Sequence, residues 1–131
     1  MVPIAGVTAL IREETDRTEE GRRRQAAVWR RERADALPLL TGGGKLPERD
    51  RFPRYDMKEQ FEDPEKMAYE HAWAALAVMR SGGDGVPSAR VNFGTAFLAS
   101  VFGLEQQVFP DKMPWLTDHL PKKAIEDLAP A

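Results

Sequence analysis

The chain has 131 residues, 42% of them hydrophobic and 31% charged, with 19 basic and 21 acidic side chains for a formal net charge of −2. That length suits one domain, and the near balance of charge supplies no whole-chain attraction for nucleic acid or an anionic membrane. There is no cysteine, which excludes disulfides, thiolate zinc ligands and a cysteine nucleophile from these residues.

The opening MVPIAGVTALIREETDR holds a short apolar stretch with no basic region ahead of it and acidic residues directly behind, so a secretory signal is not expected. No run approaches the ~20 apolar residues of a membrane span, and the expectation is a soluble, cytoplasmic protein. Residues 7–34 read as a long polar helix with Leu10, Ile11, Ala26, Ala27 and Trp29 as apolar contacts. So thin a stripe places it on a surface, and Gly21, inside the charged stretch EETDRTEEGRRRQ, is where it would divide in two. Residues 36–41, ALPLLT, make a short apolar run before three glycines, the pattern of a buried strand followed by a tight loop. The loop continues through Lys45 and Pro47 to Arg54, and a brief helical turn is expected over Met57 to Phe61.

The clearest signals belong to a helix over 64–81. Asp63 can cap its free N–H groups, Pro64 suits the first helical position, and Glu65 suits the positive end of the dipole. Met67, His71, Ala74 and Val78 recur at helical spacing with Trp73 and Ala77 beside them, and Gly82 and Gly83 stop the helix. Residues 86–92, VPSARVN, read as a second strand that Gly94 breaks. TAFLASVF then reads as a short apolar helix ended by Gly103, LEQQVF as a third short strand, and Pro121 as the opening of a final helix. Helix, strand, helix, strand, helix implies alternating α/β structure around a parallel sheet.

Few residues carry chemistry. Arg90 and Asn92 stand two apart and so share one face of the expected strand, at its C-terminal end before Gly94. An arginine there can hold a carboxylate or phosphate and the asparagine can hydrogen-bond a polar group; the plainer alternative is an arginine paired with an acid elsewhere in the fold. Gly42, Gly43 and Gly44 could wrap a phosphate, but GGGK matches neither GxxxxGK[ST] nor GxGxxG, and a tight turn is favoured. His71 lacks a second ligand one turn on, where Ala75 stands, so a structural histidine is favoured over a metal ligand. His119 reads as a solvated surface residue. Arg22, Arg23, Arg24, Arg30, Arg31 and Arg33 are interleaved with Glu13, Glu14, Glu19, Glu20, Glu32 and Asp35, which favours a salt-bridged helix over a nucleic-acid surface.

The stretch DGVPSARVNFGTAFLASVFGLEQQVFPDKMPWL (84–116) resembles the uroporphyrinogen decarboxylase superfamily, which includes the decarboxylases of haem synthesis and cobalamin-related methyltransferases. There, a strand ending near the active site leads to a short helix, a Gly-Leu-Glu turn, an extended segment and a proline-rich loop. Upstream, DPEKMAYEHAWAALAVM and WRRERADALPLL look like the helix before that strand and the entry to the first strand, so the resemblance covers most of 25–128. It implies the N-terminal part of a (β/α)8 TIM barrel, incomplete in this chain, with 1–34 as a leading helical extension and 35–131 as the first βα units. A complete barrel takes roughly 250 residues.

The departures bear on activity. The decarboxylases carry RQAGRYLPE after the first strand. Setting its LPE on Leu46, Pro47 and Glu48 puts Leu40 and Gly44 where the arginines stand, and leaves Lys45 as the loop's cation. The family's essential aspartate falls near Gly94. The resemblance therefore implies a parent that transfers a methyl group, or acts as a lyase on a small acidic or corrinoid substrate, with Arg90, Asn92, Gly94 and Lys45 as candidate substrate-binding positions. Any zinc, corrinoid or corrinoid-protein partner belongs to the longer parent, and no cofactor is expected in this chain. Uncovered sheet edges would favour oligomers. The alternatives are a genuine uroporphyrinogen decarboxylase, and a non-catalytic helical module that binds a partner.

Overall fold

A computed structural model describes residues 2–119. Among them are five α-helices and one two-stranded sheet: α1 (Ile4–Glu13), α2 (Thr15–Trp29), α3 (Met57–Glu62), α4 (Pro64–Met79), α5 (Phe97–Ser100), β1 (Gln106–Gln107) and β2 (Trp115–Leu116). A 3₁₀ turn over Pro47–Arg51 precedes α3. The helix expected at Pro121 lies outside the described residues.

The molecule is organised around α4. Its start follows the expected chemistry, since the Asp63 carboxylate accepts the Glu65 N–H at 2.9 Å and Pro64 occupies the first turn. Just before it, α3 is closed by a capping box in which Asp56 and Glu59 each accept the other's backbone N–H. One face of α4 supplies Tyr69, Trp73 and Leu76, which close over Val7 of α1; Leu10, Ile11, Leu46, Phe52 and Tyr55 pack around them. Phe52 meets the Trp73 ring at 5.1 Å between centroids, and Tyr69 meets it edge-on at 6.3 Å. Burying side chains such as Val7 and Leu76 stabilises the fold by roughly 1.5–3 kcal/mol each. At the far end, Arg80 holds Glu14 and Glu48 at 2.9 Å each, tying the α1–α2 junction and the 3₁₀ turn to the close of α4.

The expected α/β barrel portion is not what forms. The structure is mostly helical, and its described strands pair only with each other, antiparallel, with Gln106 opposite Leu116. LEQQVF does contribute a strand, but one of two residues. ALPLLT (36–41) and VPSARVN (86–92) are extended without being strands. Each contains a proline, Pro38 or Pro87, which removes a ladder donor. Leu39 instead bonds Asp84 twice, giving its N–H to the carboxylate at 2.9 Å and accepting the Asp84 N–H at 2.7 Å. Nor is the run buried: Leu37 is 88% exposed.

The N-terminal helix divides at Glu14, not at Gly21. α2 runs unbroken through Gly21 because the Asp84 backbone packs against it; a Cβ there would lie 2.8 Å from the Asp84 carbonyl oxygen. The stripe that read as surface also reaches the core, through Val7.

Candidate functional site

Over the first two turns of α4 runs the extended segment 89–91, and between them lies an open cleft of about 180 Å³. Pro64, Met67, Ala68 and Val91 give it apolar walls, and His71 and Arg90 give it polar ones. Arg90 is exposed and has no ion pair among the described residues. The His71 Nε2 is buried without a hydrogen-bond partner. An uncommitted guanidinium thus borders a concave surface here, as Arg30 does in an open depression of about 300 Å³ beside α2, where Glu19 and Glu32 share the wall.

Arg90 is also part of the wall of a neighbouring depression of about 340 Å³, shared with Asn92, Gly94, Thr95, Phe97 and Met113. Asn92 is occupied there with shaping the backbone. Its Oδ1 accepts the Gly94 N–H at 3.1 Å, its own N–H points to the Met67 sulfur at 3.4 Å, and Nδ2 lies 3.6 Å from the Met113 sulfur. Gly94 completes the turn at φ +82°, and a Cβ on it would come within 2.7 Å of Gln106 Oε1 and 3.2 Å of Pro114. A glycine is needed here both for its conformation and for the space.

Three of the four positions singled out in the sequence thus lie together, although no strand face presents Arg90 and Asn92 side by side. Lys45 lies apart. Its neighbour Gly44 donates to the Ala77 carbonyl at 3.1 Å, whereas Arg90 borders Ala68. Nine helical residues separate those α4 positions, about 13 Å at 1.5 Å each. The Gly44 N–H is spent on the carbonyl end of α4, where the dipole is negative, so this loop offers an anion little. A Cβ on Gly44 would fall 2.2 Å from that same carbonyl.

One arginine site left no sign in the sequence, and a second showed only in part. Arg49 sits under the core, with Nη2 at 2.7 Å from both Glu70 carboxylate oxygens and its guanidinium 5.0 Å from the Trp73 ring centroid. Arg24 gathers three acids: Nη1 lies 2.8 Å from Asp84, Nη2 lies 2.5 Å from Glu20 and 3.1 Å from Asp35. The Leu39 N–H, followed by Arg24, holds the Asp84 carboxyl below the usual carboxylate range, and Arg24 does the same to Asp35. Interleaving of Arg and Glu pointed to pairing on α2, but nothing in the sequence said that Asp84, 60 residues away, would join it. His119 is exposed.

Large apolar side chains are left open to solvent on the remaining surface. Trp29 is 85% exposed, Leu98 75% and Trp115 68%, with Leu39, Leu40, Val91, Phe93 and Val101 also exposed. Those between Val91 and Trp115 form an apolar belt along the chain, in which Phe93 and Phe97 stack at 4.9 Å. A second, apolar trough of about 740 Å³ lies between the starts of α1 and α4, bordered by Val2, Ile4, Pro64 and Ala68.

No group of three His, Cys, Asp or Glu among the described residues is placed to hold a metal ion. No described helix is long and apolar enough to cross a membrane. Comparison with protein-family models, curated protein sequences and solved structures finds no match for the chain.

Proposed function

We propose that this chain is a scaffold part of a larger enzyme acting on a small acidic substrate, and that it is inactive alone. The observation that carries the reading is Arg90: a cation unpaired among the described residues, beside a turn built by Asn92 and Gly94, at the edge of an uncovered apolar belt. The belt calls for further polypeptide, because exposed apolar surface of this kind marks an interaction site. Arg90 would orient a substrate carboxylate through paired N–H donors, while the groups that make and break bonds come from elsewhere in the assembly. The resemblance of 84–116 to the uroporphyrinogen decarboxylase superfamily supports methyl transfer or a related lyase reaction. Gly94, in place of the family's aspartate, weighs against decarboxylation of uroporphyrinogen. The reading asks for no barrel in this chain.

The test is an assay of the parent protein with corrinoid methyl donors and thiol acceptors, alongside uroporphyrinogen. Methyl transfer that falls at least tenfold in Arg90→Gln is expected. Conversion of uroporphyrinogen to coproporphyrinogen would overturn the preference.

A second reading, a non-catalytic module that binds a protein partner through the belt, is favoured by the closed core between α1 and α4. The two readings part on the parent's activity: a pure binding module has none.

A further inference from the structure

The geometry points to a binding site for a short-chain monocarboxylate in the cleft between α4 and segment 89–91, with Arg90 as the charge partner and Met67, Ala68 and Val91 as the tail pocket. The inference deepens the proposed function and rests on it for the substrate class, but it concerns binding by this chain alone.

Three features converge. Arg90 lacks a counter-charge among the described residues. It borders a concave surface whose other walls are almost wholly apolar, so a ligand there needs one anionic end and one greasy end. The cleft is small, about 180 Å³, which suits a carboxylate on a short tail better than a tetrapyrrole. His71 lines the same cleft with an Nε2 that has no partner among the described residues, and ligand entry there changes the surroundings of its ring. The guanidinium suits this role better than an ammonium would, because it offers two parallel donors to a carboxylate and sheds water more easily.

The chain contains two histidines, and His119 is exposed outside the cleft, which supplies an internal control. The experiment follows the histidine ring signals by NMR at fixed pH and ionic strength while sodium butyrate replaces sodium chloride, with His119→Gln used for assignment. Expected is a saturable movement of the His71 signals in the millimolar range, with His119 unmoved. Each methylene buried in the tail pocket should tighten binding about three- to fourfold, so butyrate should bind about tenfold more tightly than acetate. Arg90→Gln, a change at an exposed position, should weaken binding at least tenfold.

No saturable movement, an equal response in Arg90→Gln, or equal binding of acetate and butyrate would each overturn the site. An equal, Arg90-dependent response to inorganic phosphate would overturn the carboxylate class. Failure here leaves the parent's enzymatic activity untouched, and an inactive parent beside a saturable His71 response sinks the enzyme reading while keeping the site.

Discussion

Between Val7 and Met79 the large apolar side chains of α1 and α4 meet one another, whereas from Val91 to Trp115 most of them face water. Composition alone does not separate the two regions, since TAFLASVF, with six apolar residues of eight, is more apolar than the first half of α4. Coverage does. α4 is 16 residues long and receives α1, α2 and α3 against it, so side chains on several of its faces find partners. α5 has four residues, about one turn, and no described helix of comparable length lies across it. A helix stripe or an extended run stabilises only when another element is laid upon it. The first region carries its own cover; the second leaves its large side chains exposed.

The sharpest way to break that comparison is to truncate one large side chain in each region. Trp73→Ala should cost about 3–5 kcal/mol, because Trp73 is only 2% exposed and touches Phe52, Tyr69 and Arg49. Leu98→Ala should stay within about 0.5 kcal/mol. Urea unfolding followed by circular dichroism reads both, and similar losses would show that the α5 region is covered in solution after all.

Next in size is the Arg49–Glu70 pair. Glu70→Gln leaves a guanidinium under the aromatic core with no opposing charge, and about 3 kcal/mol should be lost. Replacing both partners, as Arg49→Met with Glu70→Leu, should restore much of that. If the double variant is less stable than Glu70→Gln, the pair stabilises through more than mutual neutralisation.

Gly44→Ala follows, at about 1–3 kcal/mol. Its Cβ would press on the Ala77 carbonyl and on the Arg80–Ser81 backbone, so the loop must lift from the end of α4. The equivalent change at Gly42, which has open space around it, is the control and should be near neutral.

The sequence disclosed α4 because its signals are local: a capping aspartate, a proline in the first turn, a three-to-four residue apolar period and a glycine stop. The α3 turn, the short helix before Gly103 and the strand within LEQQVF were legible for the same reason. The two false strands failed on tertiary grounds. ALPLLT and VPSARVN have the apolar content of buried strands, but a strand exists only by pairing, and what Leu39 meets is the Asp84 backbone and carboxylate. Gly21 misled in the same way, since a glycine within a helix can mark a break or a close approach, and only the position of Asp84 decides between them. At the site, Arg90, Asn92 and Gly94 were near neighbours in sequence and stayed together. Lys45 was joined to them only through the expected barrel, and it fell away with it.

The smallest effect expected concerns Asp84, which holds the exposed run 36–41 through Leu39. Its carboxyl titrates below its ordinary value, chiefly through the Leu39 N–H and then Arg24. A carboxyl with a depressed folded-state pKa stabilises fully above its unfolded value, near 3.9, and loses that contribution as pH falls through the folded one. The protection of the Leu39 amide against hydrogen exchange should therefore be flat from pH 7 to about 5 and fall below about 4. Asp35, depressed by the same Arg24, titrates in the same window, so the assignment needs Asp84→Asn. That variant keeps an oxygen to accept the Leu39 N–H but has no proton to take up and no charge to set against Arg24. Its protection should be lower at pH 7 and should lose most of the acid-dependent fall. A profile matching that of the unaltered chain would mean that the clamp on residues 36–41 resides in the Asp84 backbone, whose N–H reaches the Leu39 carbonyl at 2.7 Å, and not in its carboxylate.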